Sequence, residues 1–231
     1  MALVVGDIHG RIDKAKMFLE YKPEEIHVFS GDYVDSFVQS DMIIYDTLKL
    51  VIESYAKLVL GNHDMHYLTK PPFMCTGYRS DMAKPINEIL ESFIHRFTPC
   101  VVEDGFVITH GGVSNGLGNS LLHNSDPHAI KLRIDTEWDD YLNRRVGSSK
   151  IFNISKFRGG SHKFGGIFWA DYRDEEFYGV PQIFGHSKTT GGVLQVKSHH
   201  WALGCDDNMF QCFNTVTKEV EDFGERTADA A

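Results

Sequence analysis

Short apolar runs rich in Val, Ile and Phe alternate with segments of helical period through the first hundred residues, which predicts βαβ units and an α/β sheet. Ala2 to Val5 reads as a strand, Ile12 to Tyr21 as the helix after it, and Ile26 to Ser30 as a second strand. Ser40 to Tyr55 carries Ile43, Ile44, Leu48, Val51, Ile52 and Tyr55 at helical spacing, with Ser40 placed to cap it. Leu58 to Leu60 predicts a third strand. Ser80 to Phe97 predicts a helix with Ile86, Ile89, Leu90, Phe93, Ile94 and Phe97 on one stripe, capped by Ser80 or Asp81 and with Pro85 in its first turn. The period then shortens to two. Val101-Val102 and Phe106-Val107-Ile108 flank Glu103-Asp104-Gly105 as a hairpin. Asp126 to Arg144 predicts a helix, and Gly147 to Gly166 an irregular stretch rich in Gly and Ser. Strands are expected at Gln182 to Phe184, Gly192 to Val196, His200 to Leu203 and Met209 to Asn214, and the acidic end from Glu219 to Ala231 is expected to fray. No repeat, linker or low-complexity tract divides the chain, so residues 1–231 read as a single domain.

Five of the apolar runs end in the same manner. Leu3-Val4-Val5 meets Gly6-Asp7-Ile8-His9-Gly10, His27 to Ser30 meets Gly31-Asp32-Tyr33-Val34-Asp35, and Lys57 to Leu60 meets Gly61-Asn62-His63-Asp64. Phe106 to Thr109 meets His110-Gly111-Gly112, and Gln182-Ile183-Phe184 meets Gly185-His186. A buried strand that stops at Gly turns sharply and sets its next side chain at the carboxyl edge of the sheet, where open α/β sheets bind ligands. Asp, His and Asn gathered there are ligands for divalent transition metals, and this number of them suffices for two ions.

Composition adds limits. Hydrophobic residues at 42% and charged residues at 24% are ordinary globular values. No apolar run approaches the roughly 20 residues of a membrane-spanning helix, and no basic segment of a secretory signal precedes the first strand. The four cysteines, Cys75, Cys100, Cys205 and Cys212, are too sparse for a disulfide scaffold and too scattered for a zinc ribbon. They read as reduced thiols of a cytoplasmic protein, small buried residues rather than nucleophiles. The net charge of -9 argues against extensive nucleic-acid binding. Of the 12 histidines, His123, His128, His162, His199 and His200 follow no strand end and are assigned surface or hydrogen-bonded roles.

The five strand-end motifs, spanning residues 7 to 186, resemble those of the calcineurin-like metallophosphoesterase superfamily. The resemblance implies a four-layer αββα sandwich and a two-metal site. Asp7, His9 and Asp32 would hold one ion, and Asp32 would bridge to a second completed by Asn62, His110 and His186. Gly185-His186-Ser187-Lys188 lacks the second histidine found in many relatives. With Phe168-Trp169-Ala170-Asp171, this is similar to the phosphoprotein phosphatase branch, in size to its small bacterial and phage members. The resemblance further implies two divalent ions on the order of 3.5–4 Å apart, a hydroxide between them that attacks phosphorus in line, His63 as general acid and Asp35 orienting it. Manganese is the expected metal in vitro, with Fe, Zn and Ni equally suited to the ligands.

Two positions depart from that branch. Ser36 and Leu60 stand where its members carry phosphate-gripping arginines. A substitute clamp is sought in the segment from Arg144 to Lys163, which holds six basic residues and no Asp or Glu, with Arg158 the foremost candidate and Lys188 the second. Leu58-Val59-Leu60-Gly61-Asn62-His63-Asp64-Met65-His66-Tyr67-Leu68 is similar to the corresponding stretch of symmetrical diadenosine tetraphosphatases, and Tyr67, Phe73 and Tyr78 could stack an adenine or pack against Pro71 and Pro72. The reading is therefore a phosphomonoester hydrolase acting on phosphorylated Ser or Thr in protein, with no membrane and no obligate partner. A dinucleoside-polyphosphate or polynucleotide-end hydrolase is the enzymatic alternative, and an inactive protein-binding fold the alternative from another class.

Overall fold

The computed structural model describes residues 1–197, 199–204 and 209–224. The chain runs β1 (Ala2–Val5), α1 (Ile12–Glu20), β2 (Ile26–Phe29), α2 (Asp41–Glu53), β3 (Lys57–Val59), α3 (Asn62–Met65), α4 (Ala83–Ser92), β4 (Phe97–Thr98), β5 (Val101–Glu103), β6 (Phe106–Thr109), α5 (Asn115–Leu117), α6 (Pro127–Arg144), β7 (Gln182–Phe184), β8 (Leu194–Lys197), β9 (His200–Ala202), β10 (Gln211–Asn214) and β11 (Val220–Asp222). Two sheets result. One has the order β11-β10-β1-β2-β3-β4 and the other β5-β6-β7-β9-β8. Strands β1 to β4 are parallel neighbours, as are β6, β7 and β9.

The strand period of two decides the layering. Ala2, Val4, Val28, Val59, Ile108, Ile183 and Phe213 point between the sheets and form one apolar cluster. The alternate residues Leu3, Val5, Phe29, Leu58 and Val107 face outward into a second cluster with the buried faces of α1, α2, α4 and α6. The result is the expected four-layer αββα arrangement. Ser40 caps α2 by accepting the Ile43 N–H, and Asp126 caps α6 by accepting that of His128.

Two segments differ from the sequence reading. The helix expected from Ser80 to Phe97 is only Ala83–Ser92, begins after Met82 without a side-chain cap, and stops so that Phe97 and Thr98 can pair with Leu58 and Val59. The acidic end does not fray from Glu219: β11 pairs antiparallel with β10, Phe223 packs near Phe18, and Lys22 pairs with Glu221. The rest of that end, residues 225–231, lies outside the described residues, as does Cys205. Tyr67 and Phe73 are buried among other aromatics, Tyr67 stacking on Tyr78 and Phe73 packing on Phe152, Phe168 and Trp169, whereas Tyr78 stays 42% exposed.

Candidate metal centre

All five motifs leave the carboxyl ends of parallel strands, three on one sheet and two on the other, and they converge because the sheets face each other. Close approach requires glycine at two of these turns. A Cβ on Gly61 would collide with the Asp32 carboxylate, and one on Gly185 with that of Asp7. His9, Asp32, Asp35 and His186 take positive φ angles of 44°, 55°, 61° and 66°, a conformation held only where surrounding bonds over-determine it. Asp64, fully buried, supplies several of those bonds: its two oxygens accept the N–H groups of Asp32, Tyr33 and Gly61, each at 2.9 Å. One side chain thus locks the loop after β2 to the turn after β3. Burial and the Asp32 charge push its carboxyl up to about 7, against the three N–H bonds that favour ionisation.

The six residues expected as ligands form two groups that share Asp32: Asp7, His9 and Asp32 in one, Asp32, His110 and His186 in the other, the donor atoms of each group within 4.8 Å of one another. Asn62 joins the second group. His9 Nδ1 donates to the Val34 carbonyl, which leaves Nε2 to face the Asp7 and Asp32 carboxylates at 3.8 Å each. His110 Nδ1 donates to the Ser30 carbonyl, so its Nε2 turns to Asn62 Oδ1 at 2.8 Å, His186 Nδ1 at 3.2 Å and Asp32 Oδ2 at 3.3 Å. Four electron-pair donors therefore converge, and His186 Nε2 is buried with no hydrogen-bond partner. Carboxylate and amide oxygens with imidazole nitrogens are a donor set that fits borderline divalent cations.

The electrostatics follow from this crowding. Burial raises the Asp7 carboxyl. Burial also opposes charge on Asp32, yet His110 and His63 beside it hold that carboxyl well below its ordinary value. Burial opposes charge on His110 as well, and Asp32 outweighs it, raising the imidazole to about 9. His186, buried and repelled by His110, falls well below the ordinary imidazole value.

Beside these groups His63 Nδ1 lies 2.9 Å from Asp35 Oδ2, and the His63 N–H donates to Asp32 Oδ1. Burial opposes the His63 charge, but Asp32 and the bond to Asp35 raise the imidazole to about 12. Asp35 is held by residues the sequence reading passed over. Tyr67 Oη donates to Asp35 Oδ1 at 2.5 Å and itself accepts the Arg79 N–H, while His66 Nε2 lies 2.6 Å from Asp35 Oδ2. His66 stood in plain view, one helical turn beyond His63, and that spacing was the available signal. Cys75 also departs from the reading of the cysteines as small buried residues. It is half-buried with Sγ 3.0 Å from His66 Nδ1, and although burial raises the thiol, His63 and His66 outweigh it and lower its pKa.

Asp7, His9, Asp32, Asp35, Asn62, His63, Cys75 and His186 line a cleft of about 500 Å³ that also presents Phe37, Arg158, Arg173 and Lys188. Of the basic segment from Arg144 to Lys163, only Arg158 reaches it, since Arg144 pairs with Asp140 and Arg145 with Glu91. Arg158 Nη2 lies 2.7 Å from Asp171 Oδ2 and 2.9 Å from Ser187 Oγ, and Arg173 approaches the same Asp171 oxygen at 2.6 Å. Arg173 was not anticipated. Lys188 lies exposed at the rim next to the metal-ligand candidate His186. At the two departures, Ser36 Oγ accepts the Val38 and Gln39 N–H groups and serves the turn, while Leu60 is fully buried in the core.

The family model for calcineurin-like phosphoesterases matches residues 2–189. Over 141 residues the chain is 30% identical to a serine/threonine-protein phosphatase with EF-hands 2 of Mus musculus, covering 55% of this chain and 18% of that protein. Over 126 residues it is 32% identical to a symmetrical bis(5'-nucleosyl)-tetraphosphatase of Psychromonas ingrahamii, covering 48% of this chain and 44% of that one. The chain thus spans less than half the length of either relative. Among solved structures it is similar to one described as a candidate diadenosine tetraphosphatase, with TM-score 0.54 and 16% identity over 95% of this chain and 91% of the other. It is also similar to a cold-active protein tyrosine phosphatase, with TM-score 0.53 and 15% identity over 95% and 77%. At such identities the two structures speak for the fold alone, and the fold, the strand-end motifs and the family match agree: the chain belongs to the calcineurin-like phosphoesterase family.

Proposed function

We propose that this chain hydrolyses phosphomonoesters with two divalent metal ions, one on Asp7, His9 and Asp32 and the other on Asp32, Asn62, His110 and His186, manganese serving in vitro. The observation that carries the reading is the sharing of Asp32 between two donor groups with the His63–Asp35 pair directly beside them. When bound, the ions would neutralise phosphoryl charge and acidify the attacking water. The chain's own residues do the rest. His63 directs Nδ1–H at Asp35, which leaves Nε2 to hand a proton to the oxygen leaving phosphorus. Asp35, fixed by Tyr67 and His66, sets the ring's orientation and supports its positive charge.

Arg158 and Arg173, both aligned by Asp171, stand in for the arginines missing at positions 36 and 60, and Lys188 adds a third positive charge at the rim. A guanidinium pair of this kind grips a phosphate dianion through several N–H donors. The preferred substrate is phosphorylated Ser or Thr in a protein or peptide, in keeping with the phosphatase relative. Free thiols at Cys75, Cys100 and Cys212 fit a reducing, cytoplasmic setting.

One observation favours a second reading. Phe37 lines the cleft and is 84% exposed, an aromatic face available to a nucleobase, and the second curated relative is a dinucleoside tetraphosphatase. Phosphate release by metal-stripped protein resupplied with manganese separates the two. A phosphoserine peptide, diadenosine tetraphosphate and a 3′-phosphorylated oligonucleotide are compared side by side. Preference for the peptide is the expected result, preference for either nucleotide assigns Phe37 to base recognition, and stoichiometric metal without any turnover returns the protein to a binding role.

A further inference from the structure

His63, His66 and Cys75 form a donor group of their own, the ligand atoms within 4.8 Å of one another, to one side of the Asp32-centred groups. His63 lies within α3 and His66 directly follows it, so the two rings rise from one short turn, and Cys75 arrives from the loop beyond. His66 Nε2 lies 2.6 Å from Asp35 Oδ2 without the alignment of a hydrogen bond. His66 Nδ1 lies 3.0 Å from Cys75 Sγ, and Sγ also lies 3.5 Å from the Asn62 carbonyl oxygen.

We propose that His63, His66 and Cys75 form a third, inhibitory metal site that takes Zn²⁺. Two imidazoles and a thiolate are a zinc ligand set, and bonds of about 2.0 Å to nitrogen and 2.3 Å to sulfur need donor separations within the range seen here. Asp35 behind the His66 ring supplies the carboxylate that commonly backs a zinc-bound histidine. Cys75 and Thr76 line the cleft, so the ion has a path of entry and a fourth position open to water. Zn²⁺ would displace the Cys75 thiol proton and one of the two ring protons of the His63 imidazolium, both passing to solvent, and leave a neutral, metal-bound ring in place of the acid. Hydrolysis then stops for want of an acid. The inhibitory half of this inference rests on the general-acid role of His63 proposed above; the binding half does not.

Cobalt separates the halves. The manganese-loaded protein is titrated with Co²⁺, whose thiolate charge-transfer absorption reports sulfur ligation, a signal that the oxygen and nitrogen donors around Asp32 do not give. A charge-transfer band that saturates, is displaced by Zn²⁺ and is absent in both Cys75→Ser and Cys75→Ala is the expected result. Absence of the band in the wild type, or its persistence in the variants, overturns the site, and neither readout depends on turnover. In the same proteins the zinc concentration that halves each variant's own zinc-free rate should rise by about tenfold or more over wild type. An unchanged zinc response with the band assigned to Cys75 overturns inhibition at this site.

Discussion

The floor and the rim of the cleft are built on different terms. The floor consists of strand ends. Asp7, Asp32, Asn62, His110 and His186 each follow a buried strand or the glycine that closes it, and Asp64 ties two of those ends together from within the core. Nothing there can shift without disturbing a sheet. The rim consists of loops. Arg158 and Arg173 come from segments without regular structure and are aimed by the single carboxylate of Asp171. The floor is therefore suited to fixed chemistry, and the rim to setting which phosphoester is held.

Substitutions should separate the two. On the floor, His63→Asn is expected to lower kcat by about 10²–10⁴ on a substrate with a poor leaving group while two metals stay bound. Equal turnover in the variant removes His63 from the acid role. Asp64→Asn turns an amide N–H₂ toward one of three backbone N–H groups, and the buried mismatch should cost about 1–3 kcal/mol in unfolding experiments, together with weaker metal binding. Stability and metal affinity equal to wild type would show that the two loops hold their positions without it. At the rim, Asp171→Asn releases both arginines and should raise KM by about tenfold with a much smaller change in kcat. A kcat effect as large as that of His63→Asn would merge rim and floor into one unit.

The smallest effect is on acid stability. Burial opposes charge on Asp171, but Arg173 and Arg158 outweigh it and hold the carboxyl below its ordinary value. A group whose folded pKa is depressed stabilises the fold above the unfolded pKa, and that contribution is lost as pH falls through the folded value. Asp171→Asn should therefore flatten the fall in Tm below about pH 4. An identical acid limb in wild type and variant would mean that the two ion pairs add nothing to stability.

The same contrast explains what the sequence made legible. The floor could be read because its logic is local: an apolar run that meets a glycine and a ligand-type side chain, repeated five times, the glycine coming first in four of them. Ser40 and Asp126 announced their helices for the same reason. The rim could be read only in part: Arg158 and Lys188 stood out as basic residues, but what aims them did not. Nothing near Arg173 says that Asp171 will also draw in Arg158, thirteen positions earlier and across the cleft wall. The support of Asp35 by Tyr67 and His66 joins residues about thirty positions apart, and β11 owes its existence to β10 and to Lys22 rather than to its own acidic sequence. The helix after residue 80 ends early for a similar reason, because pairing of Phe97 with Leu58 outweighs the helical period that includes Phe97.

The shared Asp32 carboxylate is the centre of this account, and electron paramagnetic resonance of the fully active manganese-loaded protein tests it most directly. Two Mn²⁺ ions bridged through Asp32 should give an exchange-coupled signal that reaches full intensity at two ions per chain, in step with activity. A signal from isolated Mn²⁺ at full activity, with one ion per chain, would contradict it.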